Sequence, residues 1–456
     1  MSTILIQQAS AVLTGNDLTA GALTNIDILI QDDKIAQMGQ IASGPDMTII
    51  DGRGSVVYPG FVNTHHHLFQ SMLKGVPEGL NVPLFEWLQA VPYRYGPYFD
   101  EETIEVSATI GMVELLLSGC TTVADHHYLY GQGVHFDPSE ILFHVAEKLG
   151  MRFVLLRGGA TVSRTFATSE RLPMPTESMD EFLSSITQTT QKYHDPGPAA
   201  FRKVVLAPST PFYSCTPSEL KLMAQEARHL GIRLHTHLSE TVNYVDYARD
   251  VFNDYPVHWC AKHDWIGPDV SFAHMVHLND AEIALCGQTK TAIAHCPQSN
   301  GRLGSGIAPL LKLMSAGATV GIGVDGAASN EAADMISELH AAWLIHRSIH
   351  GAGSLSVETL VQCASANGAK ILGLDQVGVL KPGMQADLVM YQIDHPRYLG
   401  NHDPATAIIT AGGAPQIQHA FVAGKEVVRD GVIPGLDLER LVAQSNAILK
   451  KLKKHY

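Results

Sequence analysis

VVYPGFVNTHHH, residues 56–67, is a run of β-branched and apolar residues that ends in three consecutive histidines. Side chains alternate along a strand, so His65 and His67 share one face and their imidazoles can converge on one point. The same pattern, a short apolar run with polar residues at its end, returns down the chain. After a first strand at 56–62 come 120–125 (CTTVAD), 152–157 (RFVLLR), 202–207 (RKVVLA), 232–237 (IRLHTH), 271–274 (SFAH), 291–295 (TAIAH) and 319–325 (TVGIGVD). Segments with helical spacing lie between them and end on Gly119, Gly150, Gly231 and Gly317, as expected where a helix hands over to a strand. Strands alternating with helices require a parallel sheet, and eight of them close a barrel. No glycine-rich phosphate loop follows the first strand, which disfavours an open doubly wound sheet. The expectation is an α/β fold, a (β/α)8 TIM barrel over residues 56–375.

The two ends read differently. ILIQQASAVLTG, NIDILIQDDKIAQMG and MTIIDGRGSVV near the start, and ADLVMYQID and QHAFVAGKEVVRDGV near the end, are short strand-like pieces split by Gly, Asn and Asp. They predict a small composite β-sandwich domain from residues 1–55 and 376–436, with the barrel inserted between its halves. Residues 437–456 read as a terminal helix whose cations suit the helix dipole.

Composition narrows the function. The 456 residues carry 31 Lys and Arg against 45 Asp and Glu, a net charge of -14, which argues against a nucleic acid or an anionic membrane surface as partner. A small-molecule substrate is the better expectation. The opening residues lack a basic start before a long apolar core, and a cytoplasmic location follows as the default. Six cysteines without C-x-x-C spacing suggest neither a disulfide framework nor a thiolate metal site, whereas 23 histidines, several of them clustered, point to metal chemistry.

The histidines and lone carboxylates collect at the carboxyl ends of the strands, where barrel enzymes keep their active sites. His65 and His67 close the first strand, His237 the fifth, His274 the sixth, His295 the seventh and Asp325 the eighth. One such histidine alone is more often a hydrogen-bonding group than a ligand; coincidence at five strand ends is much harder to arrange. Neutral imidazoles with one carboxylate and no thiolate suit zinc or ferrous iron. Glu240, three residues after His237, reads either as a carboxylate that moves a proton between water and a leaving group or as an ordinary acid at a helix start. Neither H-E-x-x-H nor the H-x-E with P-C-x-x-C pattern of the small zinc deaminases is present.

PGFVNTHHH, HTHLSE, AHMVHL, AHCPQSN and GIGVDGAASN, together with the closing LKPGMQADLVMY, resemble the amidohydrolase superfamily nearly end to end. Within it the chain is similar to the aminohydrolases that act on purines, pterins and triazines. The resemblance implies that His65, His67, His237 and Asp325 hold one divalent metal ion, zinc as the first expectation and ferrous iron as the alternative. It implies that Glu240 is the proton shuttle, that His274 hydrogen-bonds the attacking hydroxide or the tetrahedral centre, and that Asp325 helps to remove the proton of water. Relatives with two metals carry a bridging lysine at the end of the fourth strand; here that end is LAPSTP, with Lys203 at the beginning, which implies one metal.

For the substrate, Gln70 matches a glutamine that bonds the lactam edge of the heterocycle in similar enzymes, against the alternative of a loop polar residue. Trp87 is a candidate for stacking on a planar ring or for the core, and Arg157 for a substrate oxygen or an acid partner. Tyr128, with His127, is a candidate for the mouth. His295 joins the substrate candidates, although with His126, His340 and His346 its default is structural. Guanine deaminases place an arginine and a phenylalanine at the end of the fourth strand, where Ser209 and Thr210 stand here, so plain guanine is disfavoured. The implied reaction is hydrolytic deamination of an amino-substituted heterocycle, an oxidised pterin such as isoxanthopterin or an oxidised purine, with release of ammonia. The alternatives are an 8-oxoguanine or isocytosine substrate, a triazine hydrolase, and a barrel that binds metal without catalysis. Similar barrels often associate, and a homo-oligomer is left open.

Overall fold

A computed structural model describes residues 3–16, 21–162 and 175–455. Among these, five strands precede the barrel: β1 (Thr3–Val12), β2 (Leu23–Gln31), β3 (Lys34–Gly39), β4 (Thr48–Asp51) and β5 (Ser55–Pro59). The barrel follows with β6 (Phe61–His67), β7 (Cys120–His127), β8 (Arg152–Arg157), β9 (Arg202–Leu206), β10 (Arg233–Leu238), β11 (Val270–His274) and β12 (Ala292–His295). Its eighth strand comes in two pieces, β13 (Val320–Ile322) and β14 (Asp325–Gly326), and β15 (Leu388–Gln392), β16 (Ile417–Val422) and β17 (Lys425–Arg429) complete the strands of the described residues.

β6 through β13 pair in parallel in sequence order, and both β13 and β14 return to β6, through Ile322 opposite Asn63 and Asp325 opposite His66. The sheet is therefore a closed (β/α)8 barrel, and the carboxyl ends of all its strands share one rim. The second sheet runs β17-β16-β15-β5-β1-β2-β3 with β4 beside β1, so its strands come from both ends of the chain.

The expected first strand at 56–62 is in fact two. β5 lies antiparallel to β15 in the smaller sheet, and the chain changes partner at Gly60, whose N–H still bonds Asp387 while that of Phe61 bonds Gly119. A Cβ at Gly60 would sit 2.3 Å from Thr121 Oγ1, so only glycine lets the strand cross from one sheet to the other here.

The helices begin where local chemistry starts them. Asp100 caps Glu101–Leu117 by accepting from Thr103, and reciprocal capping boxes open Met179–Tyr193 and Pro217–His229. Gly150 takes a φ of 70° at the end of Pro138–Leu149, the left-handed turn that closes a helix before β8. Strand alternation then sorts the core. Val154 and Leu156 join Ala124, Val205 and Ala292 in the inner cluster, which Ala369, Ile371 and Leu374 extend. Phe153 and Leu155 face the helices instead, with Phe153 edge-on to Phe143 at 5.0 Å.

Arg152, wholly buried at the start of β8, makes a two-point ion pair with Asp387 at 2.7 and 3.0 Å and ties the floor of the barrel to the smaller sheet. The helix Leu438–Leu452 starts on an Asp437 cap and buries Leu441, Ile448 and Leu452. No helix among the described residues is long and apolar enough to cross a membrane.

Candidate metal centre and substrate cavity

Three imidazoles at the rim are fixed through Nδ1. His67 Nδ1 lies 2.7 Å from the carbonyl of His126, and His237 Nδ1 lies 2.7 Å from the carbonyl of Ser209. A carbonyl only accepts, so both Nδ1 atoms carry hydrogen and both Nε2 atoms present lone pairs. His65 reaches the same state by a relay. The Ser271 hydroxyl donates to the Leu234 carbonyl (3.5 Å) and accepts from His235 Nδ1 (2.8 Å), leaving His235 Nε2 to accept from His65 Nδ1 (2.9 Å). His235 shares the inward face of β10 with His237, which is why it can reach across to β6.

The lone pairs then point at one another. His67 Nε2 and His237 Nε2 stand 3.2 Å apart, and Asp325 Oδ1 is 3.4 Å from His65 Nε2 and 3.2 Å from His67 Nε2. The ligand atoms of His65, His67, His237 and Asp325 all lie within 4.8 Å of one another. Four electron-rich atoms in a buried space repel unless positive charge sits among them, so the set fits a divalent cation bound by nitrogen and oxygen. Burial disfavours a charged His67, yet the hydrogen bond and charge of Asp325 outweigh it and lift the ring above its ordinary value. Burial works against the Asp325 carboxylate too, but His65 and His67 hold it well below the usual range. Burial pushes His65 down to about 4, which keeps its ring neutral.

Glu240 follows β10 on a loop stitched to the loop after β11: Met275 N–H bonds the Leu238 carbonyl, and Val276 N–H that of Ser239. The stitching brings Glu240 Oε2 to 3.6 Å from His274 Nε2. Ser239, His274, Met275 and Asp325 all take positive φ, a cost typical of functional rims whose side chains must turn inward. Burial pushes the Glu240 carboxyl up to about 7, and its Oε1 has no hydrogen-bond partner among the described residues. It is a group poised to hold or give up a proton near neutrality.

One cavity connects these groups. His67, His237, Asp325, Glu240 and His274 form its floor, Gln70, Ser209 and Thr210 add polar atoms, and Trp87, Tyr93, Tyr128 and Tyr244 supply aromatic walls. Gln70 is buried with Oε1 unpartnered among the described residues. The Trp87 indole N–H bonds the Ala328 carbonyl at 3.1 Å, so its ring is both wall and anchor. Tyr128 meets His67 edge-on at 5.3 Å. Gln70, Trp87 and Tyr128 thus come together as candidates, whereas Tyr93 and Tyr244 were missed. Tyr244 sits on the helix Val242–Phe252 that follows Glu240, where strand alternation gives no direction.

Arg157 and His295 are not brought here, and strand alternation is the reason. Arg157 has the parity of Phe153 and Leu155 and points into the helix layer, where both its terminal nitrogens bond Glu177 at 2.7 and 2.6 Å between Tyr130 and Phe182. His295 has the parity of Ile293 and meets His346 of Met335–His350, Nε2 to Nε2 at 3.0 Å. Both are held by partners away from this cavity, and Lys203, buried at the start of β9, bonds the Asp195 carbonyl away from the rim.

Known proteins are similar along nearly the whole chain. The amidohydrolase family matches residues 56–427. The chain is 47% identical to isoxanthopterin deaminase of an unknown prokaryotic organism, over 98% of this chain and 97% of that one. It is 36% identical to 8-oxoguanine deaminase of Pseudomonas aeruginosa, over 99% of each. In structure it is similar to the zinc-complexed atrazine chlorohydrolase of Arthrobacter aurescens TC1, with a TM-score of 0.90 and 30% identity over 98% of this chain and 100% of that one. A closed barrel with a His-His-His-Asp cluster at its rim, matched along nearly its whole length, places this chain in the amidohydrolase family, among enzymes that work with a divalent metal.

Proposed function

We propose that this enzyme is a zinc-dependent aminohydrolase that removes an exocyclic amino group from an oxidised bicyclic heterocycle, an isoxanthopterin-like pterin first and an 8-oxopurine second. The observation that carries the reading is the buried acid Glu240, facing His274 on the floor of a cavity with aromatic walls. An amine leaves only once it has been protonated, and chloride needs no proton.

His65, His67, His237 and Asp325 would hold the ion, and its chemistry is to lower the pKa of water towards neutrality so that hydroxide is available without a strong base. The chain's own groups do the rest. Trp87 and Tyr128 wall a slot for a planar ring, and Gln70 offers an amide oxygen and nitrogen to its lactam edge. His274 Nε2 lies beside Glu240 in the cavity, where its lone pair can accept the hydrogen of the hydroxyl that forms on the ring carbon. Glu240 takes a proton from the attacking water and gives it to the ring nitrogen as the ring carbon changes from planar to tetrahedral, then carries the proton of the new hydroxyl to the departing amine. The C–N bond breaks, one water is consumed, and the products are ammonia and the lactam. Ser209 and Thr210 leave no guanidinium at the end of β9, which supports a substrate other than plain guanine.

The test is ammonia release over isoxanthopterin, pterin, 8-oxoguanine, guanine, isocytosine and melamine-like triazines, with chloride release from a chlorotriazine run beside it. Turnover of an oxidised bicyclic ring with ammonia as product is expected. Chloride release without ammonia from any ring would overturn the reading in favour of a halide-displacing hydrolase.

A further inference from the structure

The segment after β12, CPQSNGR at 296–302, contributes no residue to the four-atom cluster, yet it is held more firmly than a loop needs. Its short helix Pro297–Arg302 is clamped at both ends. Gln298 gives its backbone N–H to Glu338 Oε1 at 2.8 Å and its amide to Oε2 at 2.5 Å, and Arg302 bonds Glu331 at 2.9 Å and the Gly79 carbonyl at 2.8 Å. Between the clamps sit Ser299 and Asn300, both buried.

Each touches a different arm of the site. Ser299 Oγ lies 2.5 Å from Asp325 Oδ2, the oxygen opposite the one that faces His65 and His67. Asn300 Oδ1 lies 3.0 Å from His274 Nδ1, and a ring whose Nδ1 hydrogen is engaged turns a bare Nε2 to Glu240. Both targets have positive φ, His274 at 72° and Asp325 at 62°, so their backbones alone do not hold these orientations cheaply. Ser329 also reaches Asp325 Oδ2, but at 3.2 Å, and its hydroxyl has the nearer carbonyl of Gly326 at 2.9 Å.

We propose that Ser299 and Asn300 are positioning residues that divide the site's polar arms between them, Ser299 fixing the Asp325 carboxylate for the metal and Asn300 fixing the His274 ring for the reacting atoms. The assignment rests on the deaminase reading for His274, while the arm at Asp325 stands on the metal alone. Two adjacent residues of one clamped helix thereby couple ion binding to transition-state geometry.

Single variants of the full-length, zinc-loaded enzyme separate the arms. Removing an outer partner of a ligand typically weakens metal binding by about 10- to 100-fold, so S299A is expected to lose zinc to a competing chelator at least about tenfold more readily, and S329A to lose much less. N300L, which keeps the branched outline but not the acceptor, is expected to hold zinc as the parent does and to lower kcat by about 10- to 100-fold with KM little changed. N300D restores the acceptor and is expected to recover most of that kcat. S299A with unchanged zinc affinity overturns the first arm. N300L and N300D alike in losing zinc, thermal stability and activity together overturn the second, since that is what a merely structural residue does. Should no heterocycle be turned over, the functional reading fails, yet both arms remain decided: the first by zinc retention, the second by the downfield proton signal of His274 Nδ1, kept in N300D and lost in N300L.

Discussion

In the proposed reaction, Glu240 is where electrostatics becomes chemistry. Burial, the largest influence on it, raises its carboxyl to about 7, while the charge of Asp325 raises it further and His274 opposes. The acid form, which alone can give a proton to a ring nitrogen, is complete below that value and disappears as pH rises through it. The expected profile of kcat/KM therefore falls on its alkaline side near neutrality. Glu240→Gln keeps the shape, removes the proton, and is expected to lower kcat by about 100- to 10,000-fold and abolish that limb. Steady-state rates from pH 5 to 9 on both proteins check this, and an unchanged limb in the variant would assign it to another group.

At the scale of elements, the clamp between Pro297–Arg302 and Met335–His350 depends on Glu338, a fully buried carboxyl that burial lifts to about 8. A group whose value is raised on folding contributes stability that is complete at acid pH and is lost as pH rises through the folded value. Glu338→Gln cannot accept from both the backbone and the side chain of Gln298, so at pH 5 the variant is expected to be less stable by about 1 kcal/mol. By pH 9, where the parent must bury a charge, the gap is expected to close or reverse. Thermal unfolding of both proteins across this range is the measurement, and a constant gap would contradict it. Elements also explain what the sequence left hidden. Arg157 and His295 end strands, which drew attention to them, but their parity with Phe153 and Ile293 turns them outward to partners 20 and 51 residues away. Ser299, Asn300, Tyr93 and Tyr244 lie on loops and helices after the strands, where spacing along the chain carries little about direction.

For the molecule as a whole, the alternation of apolar runs with glycine-ended helical segments made the barrel legible, because each run is buried on both faces and must be largely apolar. The crossing at Gly60 was not, since Val56–Tyr58 and Phe61–Val62 are equally apolar and only their partners differ. Closure of the ring by β13 and β14 onto β6 is what brings residues 65, 67, 237 and 325 to one rim, with His67 and His237 170 positions apart in sequence. Anomalous scattering at the zinc edge from crystals of the zinc-loaded enzyme tests this most directly. One peak per chain is expected, bounded by Nε2 of His65, His67 and His237 and by Oδ1 of Asp325. Two peaks, or one bound elsewhere with those four atoms turned apart, would contradict the account.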